Sequence, residues 1–224
     1  VPLFTSFQGS ANRARVMSIF SYQRPDEEVA EILAQEERLT KLNFYLYHTE
    51  ILNKIRWITG RYFNHLSGKF LFFEGDWQSP RHSAPYMGMV YYVEIPFLKA
   101  GIGYVLAKSR RREKNLLLWW LLVSPIPAAV TRDAVHGIRS YWMVIPLMIF
   151  TALGIYVSGS WLREQSKKLF SIGLILLFLG YLFCFFLYLD LYYIHFPRKN
   201  SAGWNYGMEE VANMIEEGKE RYEN

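Results

Sequence analysis

The most constraining feature of this chain is where its apolar residues fall. Hydrophobic residues make up 51% of the 224 positions, a share that an ordinary soluble domain also reaches. Their distribution is uneven. Between Met87 and Phe196 they gather into several long stretches, while residues 1–86 and 197–224 hold an ordinary polar mixture. That pattern excludes a disordered tail, a collagen-like fibre and a disulfide scaffold. The single cysteine, Cys184, sits inside an apolar run, so neither an internal disulfide nor a Cys-based metal site is available.

A helix that crosses a bilayer needs about 20 mostly apolar residues, because the hydrocarbon core is about 30 Å thick and each residue rises 1.5 Å. Four segments are expected to cross: Met87–Ala107, Leu116–Val130, Tyr141–Ser158 and Leu169–His195. The second is short, and Ser124-Pro125-Ile126-Pro127 is expected to break or kink it. Loop charges then orient the bundle. Five basic residues, Lys108, Arg110, Arg111, Arg112 and Lys114, crowd the first loop, and Arg163, Lys167 and Lys168 mark the third. The second loop, Thr131–Ser140, has only Arg132 and Arg139, partly balanced by Asp133. Loops one and three are therefore expected on the cytoplasmic side, with loop two and both flanks outside. On this reading the net charge of +5 records orientation. No base-reading motif accompanies it, so nucleic acid is not an expected partner.

The reading divides the chain into an outer-side region 1–86, a four-helix transmembrane region 87–195 and the start of an outer-side segment 196–224. An amphipathic helix is expected over about 26–65, opening on Asp26-Glu27-Glu28. Its Lys41, Lys54, Arg56 and Arg61 interleave with Phe44, Trp57, Tyr62 and Phe63. Such a mixture suits a helix lying in the headgroup layer, or one packed on a partner domain. At the far end Met208–Tyr222 carries an apolar stripe of Val211, Met214 and Ile215. The chain opens on Val1-Pro2 without an initiator Met and stops inside that amphipathic pattern, which reads as a piece of a longer membrane protein.

Chemistry concentrates in Thr131–Arg139, where Arg132, His136 and Arg139 join two expected spans. Guanidinium groups offer planar forks of donors to phosphate oxygens, and an imidazole donates or moves a proton. Two readings stay open: a grip on a lipid-linked phosphate, or loop capping in which Asp133 pairs with an arginine. A second group is Arg81 and His82 with Glu94, an ionisable residue inside the first expected span. Glu74 and Asp76 flank Gly75 and are of a type that can ligate a divalent metal, but a bare Glu-Gly-Asp is a common sequence, so neither a metal site nor another cofactor is expected. Nucleophile elbows, metalloprotease helices, phosphate-binding loops and zinc spacings are absent.

Several blocks together carry a resemblance. They are Tyr62-Phe63-x-His65-Leu66-Ser67-x-x-Phe70-Leu71-Phe72-x-x-Gly75-Asp76, then Arg81-His82-Ser83, Gly88 and Glu94-x-Pro96-Phe97. Pro125-Ile126-Pro127-Ala128-Ala129-x-Thr131-Arg132-Asp133-x-x-His136-x-x-Arg139 completes the set. This text resembles the C-terminal half of bacterial membrane glycosyltransferases of the dolichyl-phosphate-mannose–protein mannosyltransferase-like family, related to aminoarabinose and rhizobial galacturonosyltransferases. The resemblance implies an all-α GT-C fold in the bacterial inner membrane, with a cavity on the non-cytoplasmic side and a polyprenyl-phosphate sugar as donor. It places the catalytic carboxylate in a first outer loop N-terminal of these residues, so the chain alone is expected to be inactive without its missing N-terminal half. What it implies for this chain is part of the donor site: Arg132, His136 and Arg139, with Arg81, His82 and Glu94. The alternative is a non-catalytic membrane interaction or assembly protein.

Overall fold

A computed structural model describes residues 16–18, 46–47, 49–204 and 207–222. Every regular element among them is helical; the one extended pairing is an isolated antiparallel bridge between Ser18 and Thr131. The first complete helix, α1, is Glu50–Leu66. The Thr49 hydroxyl caps it by accepting the Leu52 N–H at 3.4 Å, and Glu50 adds negative charge to the first turn. The expected helix over about 26–65 is thus seen from Glu50 onward, and its earlier part falls largely outside the described residues. Next comes a wide π-type turn, Lys69–Phe73, whose Phe70, Leu71 and Phe72 are buried.

The first two expected spans differ from expectation in their bounds and length. Met87–Val90 is not helical: Gly88, Met89 and Val90 donate their N–H groups to the carbonyls of Phe72, Phe70 and Leu71 at 3.1, 3.3 and 2.8 Å. Helix begins only after the turn Tyr92–Glu94, as α2, Ile95–Lys108. The second segment is α3, Arg111–Val123, followed by the single turn α4, Ile126–Ala129. The break falls at Ser124-Pro125, where the proline ring cannot continue the ladder. Helices of 14 and 13 residues rise only about 20 Å, short of a 30 Å hydrocarbon core.

The last two segments are long. Helix α5, Val144–Gln165, is preceded by the tight turn Tyr141–Met143. Helix α6, Lys167–Asp190, continues through a π-type turn, Leu191–His195, into α7, Phe196–Asn200. Ser166 joins them: its backbone is extended, and its hydroxyl accepts the Lys168 N–H at 3.2 Å. Tyr141–Gln165 and Lys167–Asn200 are both long and apolar enough to cross a membrane. Among the described residues the final helix is α8, Met208–Tyr222, and its Val211, Met214 and Ile215 are exposed.

The core brings these pieces together. Phe70, Leu71 and Val90 pack with Leu98 and Val105 of α2, Val135 of the following loop, and Leu147 and Phe150 of α5. α2 and α5 approach at Gly101 and Gly154. A Cβ added at Gly101 runs into the Phe150 carbonyl, and one added at Gly154 runs into the Phe97 carbonyl. Small residues allow such backbone approach between apolar helices. Very little of α6 is covered: only 6% of its most apolar window is buried, against 33% for α5. Leu176, Phe178, Phe183 and Phe186 are exposed along it.

The glycine contact generates a prediction. Gly101→Val is expected to abolish the α2–α5 packing, because the opposing atoms are backbone and cannot move aside as side chains do. Gly103→Ala faces open space and is expected to be neutral or to stabilise by up to about 1 kcal/mol through helix propensity. Thermal unfolding of both variants in detergent, followed by circular dichroism, separates the two outcomes.

Candidate functional site

The polar residues converge where the turn after Phe73 meets the loop between α4 and α5. Gly75 turns the chain with φ +62°, and a Cβ there would press on the Met87 carbonyl and Ser83. The turn points Asp76 inward, where it is 1% exposed. The Asp76 N–H donates to Ser83 Oγ at 3.0 Å. Its carboxylate accepts from the Ser79 N–H at 2.8 Å on Oδ1, and from the Gly137 N–H at 2.8 Å on Oδ2. His82 Nδ1 lies 3.0 Å from Oδ2. A carboxylate can only accept, so Nδ1 carries the proton and Nε2 is left to face elsewhere.

His65, near the end of α1, ties the second loop down. Its Nδ1 lies 2.7 Å from the Arg61 carbonyl, which also can only accept, so Nδ1 holds the proton. Nε2 then accepts the His136 N–H at 3.0 Å. Both nitrogens are spent on backbone groups, and burial lowers the His65 pKa further below the ordinary imidazole value. His65 is a neutral strut. His136, displayed by that strut, packs its ring 4.7 Å from the His82 ring at 39°. Burial and the Arg139 charge lower its pKa below the ordinary imidazole value. One ligand atom each from Asp76, His82 and His136 lie within 4.8 Å of one another, so among the described residues these three could hold a metal.

The arginines are distributed differently. Arg139 Nη1 donates to Asp133 Oδ2 at 2.6 Å and to Thr131 Oγ1 at 2.9 Å, so it caps its own loop. Arg132 is exposed, and its N–H donates to the Met17 carbonyl at 3.1 Å. Arg81, also exposed, lines two polar cavities. One, of about 390 Å³, is lined by Arg81, His82, Ser83, Tyr91, Tyr188 and Tyr192 among others. The other, of about 290 Å³, adds Gln78, Lys199 and Asn200. Lys199 lies over the Tyr86 ring, Nζ 3.9 Å from its centroid. Glu94 is not part of this group. It is buried in the helical layer and interacts with Thr151 and Tyr181; its Oε2 and Thr151 Oγ1 have no hydrogen-bond partner among the described residues. Glu74 is also apart, paired with Lys69 at 3.2 Å on the surface.

Of the six residues nominated from sequence, the structure thus unites His82 and His136, sets Arg81 beside them and separates Glu94. It also adds residues that the reading missed as site members: Asp76 in this company, His65, Ser79 and Ser83. His65 had a visible signal, an imidazole inside an aromatic amphipathic helix. Arg61 had none; its buried Nη1 has no hydrogen-bond partner among the described residues, and its guanidinium lies 5.8 Å from the Trp57 ring centre. Comparison with protein-family models, curated proteins and solved structures finds no match to this chain.

Replacing the strut tests the arrangement. His65→Phe keeps a ring but leaves the His136 N–H buried and unpaired, a cost of about 1–3 kcal/mol. His65→Gln, which again offers an acceptor, is expected to recover part of that loss. Thermal unfolding together with faster hydrogen exchange at the His136 amide in the Phe variant alone is the diagnostic result.

Proposed function

We propose that this chain is the C-terminal part of a multi-pass membrane glycosyltransferase that takes its sugar from a polyprenyl-phosphate donor on the non-cytoplasmic side. The observation that carries the reading is a junction of two environments. Tyr91 lines the polar cavity with Arg81 and His82, while its neighbour Tyr92 lines an apolar groove of about 440 Å³. The groove runs among Pro96, Phe97, Ile155, Leu162, Leu174 and Leu177. A lipid phosphate has the same division, an anionic head beside a hydrocarbon tail. The blocks that carry the family resemblance also meet in space, joining Asp76 and His82 to His136 and Gly137.

On this reading α5 and α6 cross the bacterial inner membrane, and α2 and α3, each shorter than the hydrocarbon core, complete a four-span bundle only where flanking residues and the rest of the protein extend them. Arg81 and His82 face the donor phosphate, where negative charge grows as the sugar leaves. Arg139 supports the loop through Asp133, and its contribution to phosphate binding is indirect. The base that activates the acceptor lies in the N-terminal half, as the resemblance implies. Partners are therefore the bilayer, the lipid-linked donor and that half of the same protein.

Steady-state turnover of the complete protein with a polyprenyl-phosphate sugar tests this. Arg81→Ala removes a charge-assisted contact worth about 1.5–3 kcal/mol, so use of the donor is expected to fall about 10- to 100-fold. Arg139→Ala is expected to lower thermal stability more than donor affinity. Unchanged donor kinetics in Arg81→Ala would falsify its phosphate role. A complete protein that neither binds nor turns over any polyprenyl-phosphate sugar, yet assembles with other membrane proteins, would favour the non-catalytic alternative.

A further inference from the structure

We infer that Asp76, His82 and His136 form a mononuclear binding site for a divalent transition metal of zinc-like preference. The inference stands independently of the glycosyltransferase reading. Its first support is convergence: the three ligand atoms lie within 4.8 Å of one another although they come from two loops. The 3.0 Å separation of His82 Nδ1 and Asp76 Oδ2 is close to the edge of a tetrahedron, about 3.3 Å for metal–ligand bonds near 2.05 Å. Ligation through Nδ1 would use the imidazole tautomer that carries its proton on Nε2.

The second support is the outer frame. Metal-ligating groups are held by further hydrogen bonds that orient them, and each loop here has that scaffold before any ion arrives. The Ser79 N–H fixes Asp76 Oδ1, and the Ser83 hydroxyl fixes the Asp76 backbone. The His136 backbone is fixed by His65. The third support is access. Asp76 and His136 are buried, yet His82 borders the 390 Å³ cavity. Three protein ligands with an open side facing a cavity is the layout of a reactive metal site, whereas structural sites are closed by four. One carboxylate and two neutral imidazoles leave a divalent ion with a net positive charge. That charge would attract an anionic or carbonyl oxygen entering beside Arg81.

The test uses the purified protein in detergent, stripped with chelator and titrated with Zn²⁺ alone and Co²⁺ alone. One equivalent is expected per chain, with the visible absorption of low-coordinate Co²⁺. Loss of an outer-frame partner alone costs about 10- to 100-fold in metal affinity, so His82→Gln and His136→Gln, which remove ligands, are each expected to weaken binding at least that much. Glu74→Gln and His195→Ala, a carboxylate and an imidazole elsewhere, are expected to bind like the unmodified protein. Because Asp76 also supports both loops, it is left intact. The inference is overturned if the folded, unmodified protein takes up no stoichiometric metal, or if both glutamine variants bind as tightly as it does. Neither outcome depends on whether a sugar is transferred.

Discussion

Burial of the Asp76 carboxylate is the interaction on which the loop layer depends. A charge taken out of water costs several kcal/mol unless partners replace its hydration. Asp76 meets that demand with the Ser79 N–H, the Gly137 N–H and His82, and the Gly137 partner belongs to a loop 61 positions away. The two loops therefore have to close on each other for the charge to be tolerated at all. Gly75 makes the geometry accessible, since a side chain at φ +62° would both strain the backbone and strike Ser83. His65 then pins the same second loop to α1 one residue before the Asp76 contact, so Gly137 is presented with no freedom to drift.

The second constraint is the uncovered apolar surface of α6. A core helix of a soluble domain buries its apolar face, whereas only 6% of this helix's most apolar window is covered. A continuous surface of Leu, Ile and Phe in water would drive association, and hydrocarbon satisfies it without further protein. The polar site lies at one end of this surface. Tyr188, Tyr192 and Phe196 near the end of the long helix line the Arg81 cavity, and the His136 loop leads directly into α5. Aromatic side chains with polar tips favour the boundary between hydrocarbon and water. If α5 and α6 cross a bilayer as proposed, the site falls at headgroup level, where a ligand with one wet end and one oily end would reach it.

Hydropathy alone revealed α5, α6 and the proline break after α3, because each depends on residues adjacent in sequence. It misplaced the start of α2. Met87–Val90 is apolar enough to read as span, but its backbone is bonded to Phe70–Phe72, and no period in the sequence marks a partner that distant. The site was legible as separate parts. Asp76, His82 and His136 each stood out by chemistry; their meeting depends on His65, which bonds across 71 positions, and on a left-handed glycine. Glu94 shows the opposite error. Proximity to Arg81-His82 in the chain suggested a shared site, yet the intervening irregular segment carries Glu94 into the helical layer beside Thr151 and Tyr181. The two readings of the Arg139 loop could be separated only by geometry, because an Asp six residues away reaches the guanidinium in one turn conformation and not in others.

That ion pair changes which charge is left for a ligand. With Arg139 neutralised by Asp133 and Arg132 exposed, the cation committed to the cavity is Arg81. Asp76 supplies negative charge behind the wall: it is bonded to His82, which lines the cavity, and does not line the cavity itself. On the proposed reading, His82 therefore stands between the carboxylate and an incoming phosphate. As a neutral ring it screens the carboxylate weakly and leaves Arg81 to act alone. Were it to hold a divalent ion together with Asp76 and His136, as inferred above, the same ring would become part of a positive wall. For the anionic donor proposed above, the buried carboxylate that folds the loops together would be repulsive, and His82, standing between it and the cavity, is the residue that separates the two.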